Sequence, residues 1–260
     1  MSYQTLKLDN GGEIATLTLN RPEKRNALTT EMIEELVGAL WEVESSPARV
    51  LILTGAGEAF CSGMDIGELK ALTTQSPQES VEDSRRIAKM FRLLHSFPKP
   101  VISAVNGAAV AGGCGIATLA DFTLAAPDAK FGYPESRIGF IAAVVSVFLV
   151  RQIGEKRARD LLLSGRLIDA QEAFRMGLVN EVVPDGQLLE RTRALAAQLI
   201  AGSPTTLLFT KRLLREFSES EIDREIELAI QENARIRSTV DFREGVTAYL
   251  EKRKPMWRGH

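Results

Sequence analysis

Apolar and polar residues alternate over Ile14–Leu19 and the alternation stops at Asn20-Arg21-Pro22, which predicts a half-buried strand running into a turn. Over residues 30–43 the spacing changes to threes and fours. Met32, Ile33, Leu36, Val37, Leu40 and Trp41 then make one stripe, which predicts a helix with Trp41 packed into the core. Residues 50–53 are a short, fully apolar run, the pattern of a strand buried on both faces, Val101–Val105 reads as another buried strand, and Phe122–Ala125 reads as a third. The first run enters Thr54-Gly55-Ala56-Gly57, a turn. The second follows Pro98-Lys99-Pro100 and enters Asn106-Gly107. Residues 81–94 carry helical periodicity between them. From Glu155 onward the pattern is helical with short connections, with amphipathic stretches at 191–200, 205–217, 222–236 and 242–251. Strands separated by helices, followed by a last quarter with almost no strand signal, predict an α/β fold. Residues 1–200 read as the core and 201–260 as a helical C-terminal region. No low-complexity segment or short internal repeat is visible.

Composition narrows the function more than the fold. The chain has 260 residues, 45% hydrophobic and 25% charged, as expected of an ordinary globular protein, and a formal net charge of -2 offers no field for nucleic acid or an anionic membrane. The longest apolar run, residues 138–150, is shorter than the roughly 20 residues a membrane span needs. The first ten residues lack the apolar stretch of a secretory signal. Cys61 and Cys114 cannot build a disulfide framework, which fits a reducing cytoplasm. There are two histidines, His95 and His260, so a Ser–His or Cys–His nucleophile would have to use His95, and no set of ligands suggests a metal. Gly113-Cys114-Gly115 follows a strand but continues to Thr118 where a dinucleotide-binding glycine loop needs Gly or Ala, and no phosphate-binding G-K-[ST] occurs.

Three segments can carry chemistry. Ala59-Phe60-Cys61-Ser62-Gly63-Met64-Asp65-Ile66 and Asn106-Gly107-Ala108-Ala109-Val110-Ala111-Gly112-Gly113 each place small residues after a strand and before a helix start. Such junctions leave backbone N–H groups unpaired and approachable, and two of them converging on one point would hold an oxyanion. The plainer alternative is that the glycines only permit tight turns and close packing. The third segment, Phe131-Gly132-Tyr133-Pro134-Glu135, puts a carboxylate just ahead of the apolar run 138–150. If Glu135 faces that wall, desolvation raises its pKa toward the range useful for proton transfer; otherwise it is a surface glutamate after a proline turn. Cys61 and Cys114 read as small packing residues, His95 as structural, Asp121 as a local cap or pair, and Ser146 as packing rather than a substrate contact.

These segments resemble the crotonase (enoyl-CoA hydratase/isomerase) family. Leu19-Asn20-Arg21-Pro22, Asn26-Ala27-Leu28, Lys99-Pro100-Val101-Ile102, Ala111-Gly112-Gly113-Cys114, Gly177-Leu178-Val179-Asn180 and Glu244-Gly245 follow the family order along nearly the whole chain. The resemblance implies a spiral of ββα units with a helical C-terminal part, assembled as a homotrimer or a hexamer (a dimer of trimers). It implies an acyl-CoA substrate and no cofactor, coenzyme A being part of the substrate. The Met64 and Gly112 N–H groups match oxyanion-hole donors and Glu135 a catalytic glutamate. Lys24, Arg25 and Ala27 match coenzyme A contacts, Asp65 and Ile66 lie where the family lines the adenine pocket, and Lys254 and Trp257 sit where the family's C-terminal region reaches coenzyme A. Three departures stand out. Gly115 occupies the place of a second glutamate, Gly139 to Ser146 replaces a proline- and glycine-rich stretch, and Gly67 replaces a lysine. The chain thus resembles single-glutamate members such as bacterial methylglutaconyl-CoA-type hydratases. Hydration, isomerisation of a 3-enoyl thioester, and mere acyl-CoA binding all stay open.

Overall fold

The computed structural model describes residues 3–259. Met1 and Ser2, at the start of the stretch searched for a signal, and His260 lie outside the described residues. The chain begins with a hairpin, β1 (Leu6–Asp9) antiparallel to β2 (Ile14–Leu19), and passes through a turn to α1 (Thr30–Ser45). A repeating path then starts. β3 (Val50–Gly55) is followed by β4 (Ala59–Cys61), α2 (Ile66–Leu72) and α3 (Pro77–His95). β5 (Val101–Val105) is followed by β6 (Ala108–Val110) and α4 (Gly112–Thr118). β7 (Phe122–Ala125) is followed by β8 (Lys130–Gly132), a 3-10 turn at Pro134–Ile138, and α5 (Ala143–Ile153).

The first strand of each unit joins one sheet beside the hairpin, in the order β2, β3, β5, β7, and the second joins another, in the order β4, β6, β8. Both series are parallel, as strand-to-strand connections through a helix require. This is a spiral of ββα units. The repeat is one of topology, invisible in the residues, because three-residue strands such as Ala59–Cys61 and Ala108–Val110 are too short to show a period.

The long predicted elements occur where expected. Residues 50–53 and Val101–Val105 are buried on both faces because the sheet is covered on both sides. After α6 (Glu155–Ser164) the structure departs from a purely helical reading. β9 (Leu167–Asp169) pairs antiparallel with β8, and, beyond α7 (Ala170–Met176), β10 (Glu181–Val182) pairs parallel with β7. Four helices close the chain: α8 (Leu188–Ala201), α9 (Pro204–Glu216), α10 (Glu219–Ile236) and α11 (Val240–Leu250). Ile222, Ile226, Ala229 and Ile230 of α10 enter the same core cluster as α1, α3 and α5.

Trp41 corrects the stripe reading of α1. It is 49% exposed, with the Lys89 ammonium 4.9 Å from its ring centroid, so it lies on the outer edge of the α1–α3 contact. Among the described residues no helix is long and apolar enough to cross a membrane.

Candidate active site

The turn after β2 locks the first chemistry-bearing segment in place. Asn26 is fully buried with φ 55, accepts the Arg21 N–H, and donates through its side-chain amide to the Ala56 and Ala59 carbonyls. Next to it the Ser62 N–H donates to the Arg25 carbonyl (3.0 Å) and the Leu28 N–H to the Gly63 carbonyl (2.7 Å), while the Asp65 N–H donates to the Leu28 carbonyl (2.8 Å). Leu28 and Met64 therefore form an isolated parallel bridge in which both Leu28 groups are taken by the flanking residues. Alternation along an extended backbone turns the Met64 N–H the other way, and it donates to no acceptor among the described residues.

The second segment ends in strain. Ala111, the residue before α4, has φ 53 and ψ -128. That conformation costs a residue with a Cβ on the order of 1–3 kcal/mol and orients the following peptide. The Ala111 N–H donates to the Gly132 carbonyl (2.8 Å), whereas the N–H of Gly112, at the first position of α4, has no acceptor among the described residues. The two segments touch. Gly63 (φ 92) lies so close to Ala111 that a Cβ there would stand 3.0 Å from the Ala111 Cβ, and a Cβ on Gly112 would stand 3.1 Å from Leu28 Cδ1. Two unpaired N–H groups thus flank Leu28 and border one cavity of about 450 Å³.

Glu135 borders the same cavity from the 3-10 turn. It is almost wholly buried, its Oε2 has no hydrogen-bond partner, and burial pushes its pKa up to about 7, only partly opposed by its own backbone N–H. Of the two positions open to Glu135 from its local sequence, the buried one against apolar walls is the one found. The flanking run itself is broken: residues 140–142 are irregular, and the Phe140 N–H donates to the Glu135 carbonyl (3.0 Å). Glu135 and residues 140–143 also line a second cavity of about 610 Å³, so this stretch is the wall the two share.

The structure brings Met64, Gly112 and Glu135 together and leaves the other candidates outside the cavity wall. Lys24 and Arg25 are exposed on the turn after β2. Ala27 is buried, its carbonyl taking the Arg21 guanidinium. Asp65 pairs with Arg21 at 3.0 Å and caps α2 by accepting the Gly67 N–H, and Ile66 is exposed. Lys254 and Trp257 are exposed, although their neighbours Arg253 and Pro255 do reach the wall. Arg253 is held there by Glu244 and Glu251.

Sequence reasoning missed Phe91, Val145, Tyr249 and Asn233, whose contribution depends on where α3, α5, α10 and α11 pack. Gly115 is closely packed. A Cβ there would lie 2.5 Å from Val145 Cγ1 and 2.8 Å from Phe91 Cε1. The space that a side chain at 115 would need is filled by the Phe91 ring, so Gly115 opens no room for an acyl branch.

Other candidates keep their modest roles. Burial pushes the Cys61 and Cys114 thiols up to about 12, so both are protonated packing groups. His95 ends α3 against the Phe148 ring; burial, reinforced by the Arg92 charge, holds its pKa down to about 4, and it makes no hydrogen bond to a serine or cysteine among the described residues. Asp121 pairs with Lys211 and accepts the Val101 N–H. The Ser146 hydroxyl donates to the Ala143 carbonyl and borders the second cavity. No cluster of three or more metal-ligating side chains occurs among the described residues.

The sequence and the stacked ββα units both have counterparts among known proteins. The enoyl-CoA hydratase/isomerase profile matches residues 9–260. A Thermus thermophilus protein is 43% identical over 94% of this chain and 97% of its own length. The crotonyl-CoA hydratase of Syntrophomonas wolfei is 37% identical over 98% of each chain. Among solved structures, an enoyl-CoA hydratase/isomerase from Xanthobacter autotrophicus superposes with a TM-score of 0.88 at 29% identity, covering 96% of this chain and 97% of that one. The chain belongs to the enoyl-CoA hydratase/isomerase family.

Proposed function

We propose that the protein is an enoyl-CoA hydratase, a hydro-lyase that adds water to a 2-enoyl-CoA with Glu135 as its one acid–base group. The observation that carries this reading is the convergence of the free Met64 and Gly112 N–H groups and the desolvated Glu135 on one apolar cavity. The hydratase names of its relatives support it. The thioester oxygen accepts from both N–H groups. The Glu135 carboxylate takes a proton from water as the water oxygen bonds to C3 and the C2–C3 π pair moves into the thioester as an enolate. The two N–H donors hold the developing oxyanion, and removing one such donor typically costs about 10²–10³ in rate. Glu135 then returns its proton to C2. A pKa near 7 suits a group that must be base and acid in one cycle. Coenzyme A enters as part of the substrate, and the reading requires no cofactor.

The missing carboxylate at Gly115 favours one second reading. Glu135 could remove a proton from C2 of a 3-enoyl thioester and return it to C4, with the dienolate held by the same donors. Side-by-side rates on 2-enoyl-CoA (loss of enoyl absorbance) and 3-enoyl-CoA (its gain) decide between them. Tight acyl-CoA binding with no turnover of either would overturn both and leave an acyl-CoA-binding protein.

The methylglutaconyl-CoA-type assignment, the coenzyme A contacts at Lys24, Arg25, Ala27, Asp65, Ile66, Lys254 and Trp257, and the homotrimer or hexamer belong to the same proposal. What supports assembly is α9, which buries none of its side chains and exposes Phe209 and Leu213, with the exposed Phe217 just past its end continuing the interval of four. Sedimentation of the purified chain tests it, and a monomer at micromolar concentration would refute it.

A further inference from the structure

Asn233 stands out on the α10 wall of the cavity. Its side chain is buried and fixed: Oδ1 accepts from Ser84 Oγ at 2.9 Å and from Arg237 Nη2 at 2.7 Å. A guanidinium only donates, so the amide must turn its oxygen toward Arg237 and its NH2 group away. Arg237 is itself locked. Its side chain is 1% exposed, pairs with Asp83 at 2.8 Å, donates to the Gln75 side chain at 2.9 Å, and lies 5.7 Å from the centroid of Phe140. Phe140 is the residue whose N–H donates to the Glu135 carbonyl. The Asn233 NH2 group donates to nothing among the described residues, yet it is not among the fully enclosed atoms lacking a partner, and Asn233 borders the cavity that holds Glu135, Met64 and Gly112.

If Asn233 served only to tie α10 to α3, its NH2 group would face the cavity to no purpose, since no protein acceptor meets it there. An aspartate would satisfy Ser84 and Arg237 at least as well. We propose that Asn233 reads the acyl group, its fixed NH2 donating to an oxygen acceptor on the acyl chain, so that the enzyme selects oxygen-bearing enoyl thioesters over plain hydrocarbon ones of equal length. This rests on the enoyl-CoA reading above and specifies its substrate class. The acceptor chemistry is shared by a carboxylate, a carbonyl and a hydroxyl. The amide is oriented in advance by Ser84 and Arg237, which lowers the ordering cost of binding.

The test compares kcat/KM for hydration of short 2-enoyl-CoA thioesters with those of equal length ending in a carboxylate, a ketone or a hydroxyl, using the full-length protein. Wild type should favour at least one oxygen-bearing series by about 10-fold or more. Asn233→Asp keeps an acceptor for both Ser84 and Arg237 and replaces the donor by an anion. It should lower the preference for carboxylate and ketone chains by at least about 10-fold, while a hydroxyl chain, which can donate to Asp, retains its advantage. Asn233→Leu should remove the preference for all three. Equal rates on both kinds of substrate in wild type, or equal loss on all substrates in Asn233→Asp, would overturn the role of Asn233 and leave the hydratase reading intact. No turnover of any enoyl-CoA would bring down that reading and this inference with it.

Discussion

Replacing Glu135 by Gln tests the site through two readouts that move in opposite directions. The carboxyl ionises near 4.5 in water and near 7 in its buried position. That difference corresponds to about 3 kcal/mol. Because the folded-state value lies above the unfolded one, the native protein binds more protons between pH 4.5 and 7. Stability referable to Glu135 is therefore complete below about pH 4.5, falls as pH rises through 7, and stays lower above it. Gln is nearly isosteric and cannot ionise. Chemical denaturation of both proteins at one fixed concentration should thus show Glu135→Gln gaining on wild type by about 3 kcal/mol between pH 4 and pH 9. Over the same change, turnover of an enoyl-CoA should drop by about 10²–10⁴, since a proton carrier is lost and little volume. In wild type, kcat/KM should fall about tenfold per pH unit below 7 as the base protonates. A stability difference that does not vary with pH would mean that Glu135 is solvated, and the desolvation argument would fail. Near-normal turnover in the variant would move the proton transfer to another group.

Further substitutions test the surrounding framework. Gly115→Ala should cost about 1–3 kcal/mol in denaturation, because Val145 and Phe91 must move. Gly115→Glu should lower activity rather than restore a second acid, and a rise in hydration would refute the filled-space account. Gly63→Ala places a Cβ at positive φ and 3.0 Å from Ala111, so kcat/KM should fall by about 10² as the Met64 N–H is displaced; an unchanged rate would remove that N–H from the mechanism. Asp65→Ala loses the α2 cap and the Arg21 pair, at a cost of about 1–2 kcal/mol, and Asp65→Asn, which keeps the cap, should cost less; equal costs would show that the cap contributes nothing. Arg237→Ala leaves Asp83 only its longer pair with Arg86 at 3.5 Å and should cost about 3 kcal/mol, and a neutral result would mean the pair is not enclosed in solution.

The residues by themselves determined the long elements, because helix and strand periods are local and α1, α3 and β2 are long enough to show them, while β3 and β5 stand out as short, mainly apolar stretches between turns. They also determined which chain segments end strands on small residues, and that Glu135 precedes an apolar run. What only tertiary structure decided is convergence. Nothing in the spacing of Gly63, Ala111 and Glu135 says that they meet; stacking of the ββα units brings β4, β6 and β8 side by side and so carries their ends to one cavity. Packing also decided what each neighbour does. Trp41 follows the apolar stripe of α1 yet lies outside the contact, Phe91 fills the place that Gly115 vacates, and Asn233 on an amphipathic helix becomes a fixed donor because Arg237 turns its amide. Those outcomes depend on residues far away in the chain, and a local pattern holds no record of them.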